Sequence, residues 1–83
     1  MVRILYFAWV RERIGAGDES IPLPPEVTTV AGLLDHLRSR GAPHDQALTG
    51  GHLRVAVNQV HAAAMDPVAD GDEIAIFPPV SGG

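Results

Sequence analysis

Two segments of this chain, VRILYFAWV (2–10) and EIAIFPP (73–79), carry apolar side chains on both faces of an extended strand, and that constrains the fold more than any other feature. In the first, Val2, Ile4 and Tyr6 alternate with Leu5, Phe7 and Trp9; in the second, Ile74 and Ile76 alternate with Ala75 and Phe77. Successive side chains of a strand point to opposite faces. Both segments therefore belong inside a sheet, and both faces of that sheet need cover. One clear helix is available to give it. Thr28 or Thr29 caps this helix, Val30, Leu33, Leu34 and Leu37 recur at helical spacing, Arg38 and Arg40 suit its last turn, and Gly41 with Pro43 ends it. A single amphipathic helix shields one face only. The other face needs loops 12–25 and 43–52 folded over it, or a protein partner, because a contiguous apolar patch left in water marks an interaction surface.

The remaining segments are short. RERIGAGDES (11–20) reads as loop or at most a brief helical turn, and SIPL (20–23) as a second strand held to an edge by Pro22, Pro24 and Pro25. PHDQALTGG (43–51) is loop with one turn around Ala47 and Leu48. HLRVAVNQVH (52–61) reads as two strands meeting at Asn58-Gln59, and DPVADGDE (66–73) as a turn cluster in which Gly71 is free to take positive φ. The order predicts an α+β domain over 1–78, a mixed four- to five-stranded sheet with one main helix on one face, followed by a flexible tail, 79–83.

Composition removes several functions. No apolar run approaches the roughly 18 residues of a membrane span, and the start lacks the basic region and cleavage site of a signal peptide, so a cytoplasmic location is expected. There is no cysteine for disulfides, thiolate metal sites or nucleophilic catalysis. The net charge is −4 and the six cations are all arginine, without the clustered positive charge that nucleic acid needs. With no lysine, the chain cannot carry isopeptide bonds on its own side chains or form Schiff bases. His36, His44, His52 and His61 fit no ligand spacing, the acids Asp70, Asp72 and Glu73 lack the rest of a cation loop, and nothing after Gly50-Gly51 makes a phosphate loop, so no metal is expected. Arg11 reads equally as a solvated charge or as a partner for an acid on another protein.

The tail suggests chemistry. Pro78 and Pro79 cannot donate to a strand ladder and bias the last residues toward extended geometry. From Pro79 to Gly83 the chain then reaches on the order of 15 Å from the body. Val80 is suited to anchor in a partner, Ser81 is small, and Gly82-Gly83, lacking Cβ atoms, fits a channel too narrow for other residues. A carboxylate at Gly83 is a poor acyl donor until it becomes a mixed anhydride with a nucleotide, which a sulfur nucleophile can displace.

The segments FAWVRERIG, VAVNQ and DGDEIAIFPPVSGG, with their spacing, resemble the ubiquitin-like sulfur carriers of the MoaD/ThiS family, in the branch of molybdopterin synthase small subunits. The resemblance spans essentially the whole chain and implies a ubiquitin-like β-grasp fold. It implies that an E1-like enzyme adenylates Gly83 with ATP, that a sulfur donor converts the adenylate to a thiocarboxylate, and that the tail enters the large synthase subunit to give sulfur to a pterin precursor for molybdenum cofactor. This chain would be a non-catalytic donor subunit with no bound cofactor. By position, Gly82 and Gly83 match the reactive tail, and Phe7, Arg11, Phe77, Pro78, Pro79, Val80 and Ser81 match the partner-facing patch and tail base. Trp9 and His61 depart from the polar and apolar residues expected at those places. A carrier for thiamin thiazole or amino-acid biosynthesis, and a ubiquitin-like modifier or interaction module, are the alternatives.

Overall fold

The two strands with apolar side chains on both faces lie side by side at the centre of one sheet. The computed structural model describes residues 1–49 and 52–79. Its elements run β1 (Val2–Tyr6), α1 (Ala8–Ile14), β2 (Asp18–Ile21), α2 (Val30–Arg38), α3 (His44–Ala47), β3 (Arg54–Val57), β4 (Val60–Ala62) and β5 (Glu73–Phe77). They form a 5-stranded sheet in the order β2-β1-β5-β3-β4. β1 and β5 pair in parallel, with Ile4 beside Ile74 and Tyr6 beside Ile76, and the other pairings are antiparallel. A parallel pair cannot be closed by a hairpin, and α2 lies on the crossover that joins it. This is the expected α+β, β-grasp arrangement with a mixed sheet.

One face of the sheet is dry. Val2, Ile4, Tyr6, Ile74 and Ile76 point into a core completed by Val10 of α1, Leu33 and Leu37 of α2, and Ala47 and Leu48 at α3. At about 1.5 to 3 kcal/mol for each large apolar side chain fully buried, this cluster is the main source of stability. Helix α2 starts where its sequence places it: Thr29 stays extended and its Oγ1 accepts the Gly32 N–H at 3.1 Å. The hairpin turn also matches its sequence. Asn58 and Gln59 both take positive φ, 51° and 70°, the geometry whose twist suits a two-residue connection. Gly71, at φ +90°, turns the chain so that its N–H reaches the Met1 carbonyl at 2.8 Å.

Four expectations change. The first strand stops at Tyr6 rather than running to residue 10, because Ala8 enters the left-handed region at φ 53° and α1 begins there. Val10 and Ile14 then stack on one helical face instead of alternating. The second strand is Asp18–Ile21, which begins two residues before SIPL and shares Ser20 and Ile21 with it, because it pairs with β1 through Leu5↔Asp18 to Val2↔Ile21 and Pro22 cannot extend it. The last strand ends at Phe77, before both prolines. The short helices α1 and α3 join α2 on the core side, so that face is covered by three helical pieces rather than one.

Candidate functional site

The opposite face of the sheet retains the apolar character that the strand pattern foretold. Leu5 of β1 lies opposite Ala75 of β5, Ala75 opposite Ala56 of β3, and Ala56 opposite His61 of β4, a row of side chains that runs across the sheet. Leu5, Ala75 and Phe77 are half-buried and His61 is exposed. Since α1 and α3 pack into the core on the other side, the described parts of loops 12–25 and 43–52 do not close this row over.

The row is widest at the end where β1 and β5 finish together. Phe7 is still extended (φ −128°, ψ 157°), so its side chain points away from that of Tyr6, and its N–H donates to the Ile76 carbonyl at 3.2 Å. That bond carries the parallel ladder one residue further and sets Phe7 beside Phe77. Phe7 is 47% exposed, a large figure for a phenylalanine at the middle of a sheet. The His61 ring meets Phe77 at a centroid distance of 5.8 Å and an angle of 66°, so this unexpected histidine extends the aromatic surface to the sheet edge.

The chain leaves the sheet at the same end. Pro78 is half-buried against it and Pro79 is exposed. Val80, Ser81, Gly82 and Gly83 lie outside the described residues, as do Gly50 and Gly51. Arg11 stands one helical turn beyond Phe7, its N–H on the Phe7 carbonyl at 3.3 Å. Phe7, Arg11, Phe77, Pro78 and Pro79 thus gather at one end of the molecule. Trp9 borders that surface and lines an open cleft together with Arg11. It lies in α1, half-buried against the core, with the Arg13 guanidinium 4.7 Å from its ring centroid. Its departure from the expected polar residue reflects helix packing.

A second polar constellation was not visible in the sequence. Glu19 on the edge strand β2 accepts from the Tyr6 hydroxyl at 2.7 Å and contacts His44 Nε2 at 2.8 Å through Oε2, while its Oε1 accepts from Arg40 at 2.6 Å. Burial alone would raise its pKa, but the hydrogen bonds from His44, Arg40 and Tyr6 prevail and hold it at about 2. Burial, and then the bond to Glu19, push the Tyr6 phenol far up, so it remains a donor. The cluster ties β1, β2 and α3 together behind Phe7. Its partners lie 13 to 25 positions from Glu19, with no motif to signal them.

Among the described residues no helix is long and apolar enough to cross a membrane, and no group of three or more His, Cys, Asp or Glu could hold a metal ion.

Compared with known proteins, residues 4–83 match the profile of the ThiS family. The chain is 39% identical over 83 residues to the molybdopterin synthase sulfur carrier subunit of Escherichia coli (strain K12), and 41% identical over 83 residues to that of Haemophilus influenzae; both alignments cover 100% of each chain. Among solved structures, a candidate molybdopterin converting factor subunit 1 from Pyrococcus furiosus superposes with a TM-score of 0.78 at 30% identity, covering 95% of this chain and 97% of that one. The resemblance carried by FAWVRERIG, VAVNQ and DGDEIAIFPPVSGG is thereby borne out, together with the ubiquitin-like β-grasp fold.

Proposed function

The chain belongs to the ThiS family, and from that premise we propose that it is the sulfur-carrier subunit of a molybdopterin synthase. The observation that carries this reading is the coincidence of two features at one end of the sheet: the surface of exposed Phe7 beside half-buried Phe77, and the departure of the chain through Pro78 and Pro79. A partner that covers the first is in place to receive the second.

The chemistry starts from the carboxylate. An E1-like enzyme joins the Gly83 carboxylate to the α-phosphate of ATP and releases pyrophosphate. A sulfur donor then displaces AMP and leaves a thiocarboxylate. The large synthase subunit docks on the open face, takes the tail into its active site and passes the sulfur to a pterin precursor. Water restores the oxygen, and the carboxylate is ready for another cycle. The side chains of this chain perform none of these steps; they dock, and they hold the tail at a fixed point of departure. Docking on apolar side chains with an arginine at the margin is consistent with a partner that is gripped and released repeatedly. The chain itself carries no cofactor in this scheme, and ATP is consumed by the activating enzyme.

Intact mass spectrometry tests the reading. After incubation with ATP, a matched activating enzyme and a sulfur donor, the chain gains the mass difference between sulfur and oxygen, localised to Gly83. No gain, with an activating enzyme that loads another carrier, would overturn it.

A further inference from the structure

Arg11 lies against the backbone of Gly17. A Cβ placed on Gly17 would stand 3.2 Å from Arg11 Nε, 3.3 Å from Cζ and 3.5 Å from Nη2. Three atoms of a planar group at nearly equal distances mean that the guanidinium faces Gly17 flat. An in-plane approach would bring the nitrogens clearly closer than the carbon. The space exists only because residue 17 has no side chain. Gly17 is not there for its backbone angle: unlike Gly15, at φ +87°, it lies outside the left-handed region, and alanine fits its conformation.

The surface under Arg11 is fixed from both sides. The Gly17 carbonyl accepts the Tyr6 N–H at 2.9 Å, which binds it to the central strand. The Arg11 carbonyl accepts the Gly15 N–H at 2.9 Å and closes α1 behind it. The guanidinium forms no ion pair with a described residue, whereas Arg3, Arg38 and Arg40 each hold an acid. Among the described residues, no acid takes up its donors. Arg11 is exposed, and the Gly17 backbone lies flat against one face of its guanidinium, one turn from the exposed Phe7; a side chain that rests on backbone has fewer rotamers to give up when it meets a carboxylate.

We propose that Gly17 is a positioning residue for Arg11, and that the Arg11 fork receives a carboxylate of the protein that docks on the open face. The identity of that protein as the large synthase subunit rests on the function proposed above. The positioning claim rests on this chain alone.

The test uses Gly17→Ala, Arg11→Ala and the double variant in the full chain, with purified large subunit as the probe. By calorimetry, Gly17→Ala weakens binding roughly fivefold and Arg11→Ala roughly tenfold or more, as for a charge-assisted contact. In the Arg11→Ala background the alanine at 17 costs nothing further, because it acts only through the arginine. The urea midpoint of Gly17→Ala holds or rises, since alanine narrows the unfolded ensemble. Additive losses in the double variant, or wild-type affinity in Gly17→Ala, overturn the proposal. A readout without any partner is the 15N relaxation of Arg11 Nε. It is as restrained as the backbone in wild type and becomes mobile in Gly17→Ala; an Nε already mobile in wild type overturns the positioning role. If the wild-type chain ignores the large subunit, the reading under Proposed function fails, and the relaxation result alone decides Gly17.

Discussion

Replacing Glu19 by Gln tests the polar cluster behind Phe7. The carboxylate accepts from Tyr6, His44 and Arg40, and its pKa stands at about 2 against an ordinary 4.5. At about 1.36 kcal/mol per pKa unit the shift corresponds to roughly 3 kcal/mol at face value. Glu19 retains 21% exposure and Arg40 39%, so solvent screening reduces this to about 1–2 kcal/mol. The sign comes from proton linkage. As pH falls the unfolded chain takes up the proton first, so the stabilisation is complete above pH 4.5 and drains away as pH falls through about 2. Gln has a single acceptor oxygen and turns an NH2 toward groups that need an acceptor, so Glu19→Gln is less stable at pH 7 by about 1–2 kcal/mol, with Tm lowered by roughly 4 °C or more. Urea unfolding of both proteins at pH 7 and pH 3 measures it. Comparing the pair at each pH cancels every other carboxylate, and the gap between them shrinks by more than half at pH 3. A gap that stays the same at both pH values would show that the charge of Glu19 contributes nothing to folding.

Other parts of the structure set further outcomes. Phe77→Ala removes the aromatic at the end of the open face; affinity for the large subunit falls about tenfold or more by calorimetry, and circular dichroism is unchanged. Thr29→Ala loses the cap on the Gly32 N–H and costs about 1 kcal/mol in urea unfolding. Gln59→Gly relieves a left-handed residue that costs about 1–2 kcal/mol, against about 0.5–1 kcal/mol for the freer unfolded chain, so the variant is slightly more stable by the same assay. Gly83→Ala keeps the melting temperature but slows sulfur transfer in single-turnover assays, because a methyl group enters the channel; normal transfer refutes a channel shaped for glycine.

The parts legible in the sequence are those whose signal is local. The stripe Val30, Leu33, Leu34, Leu37 after a threonine cap gives α2, and Asn58-Gln59 between apolar runs gives the hairpin. Helix α1 was not legible. Phe7, Trp9 and Val10 favour strand by type, Phe7 offers no side-chain cap and the first turn has no acid, so only the Val10 and Ile14 spacing speaks for a helix. The surplus of apolar residues on β1 and β5 announced an open face, and Phe7 and Phe77 fall on it. Arg11 could be named but not placed, because its setting depends on Gly17, six positions on across the end of a helix that has no local signal. The Glu19 cluster was beyond reach, since tertiary folding alone brings its members together.

The place of β5 in the sheet has a mechanical consequence. On the function proposed above, a pull on the tail along the axis of β5 would be resisted from both sides, by β1 and by β3. The ladder bonds lie across that direction, so the load falls on both rows at once instead of opening them one by one. Had the tail followed the edge strand β4, the same pull would peel the sheet from its margin. Rooted in the centre, the thread can be hauled taut while the body serves as its bollard, and the carrier comes away folded.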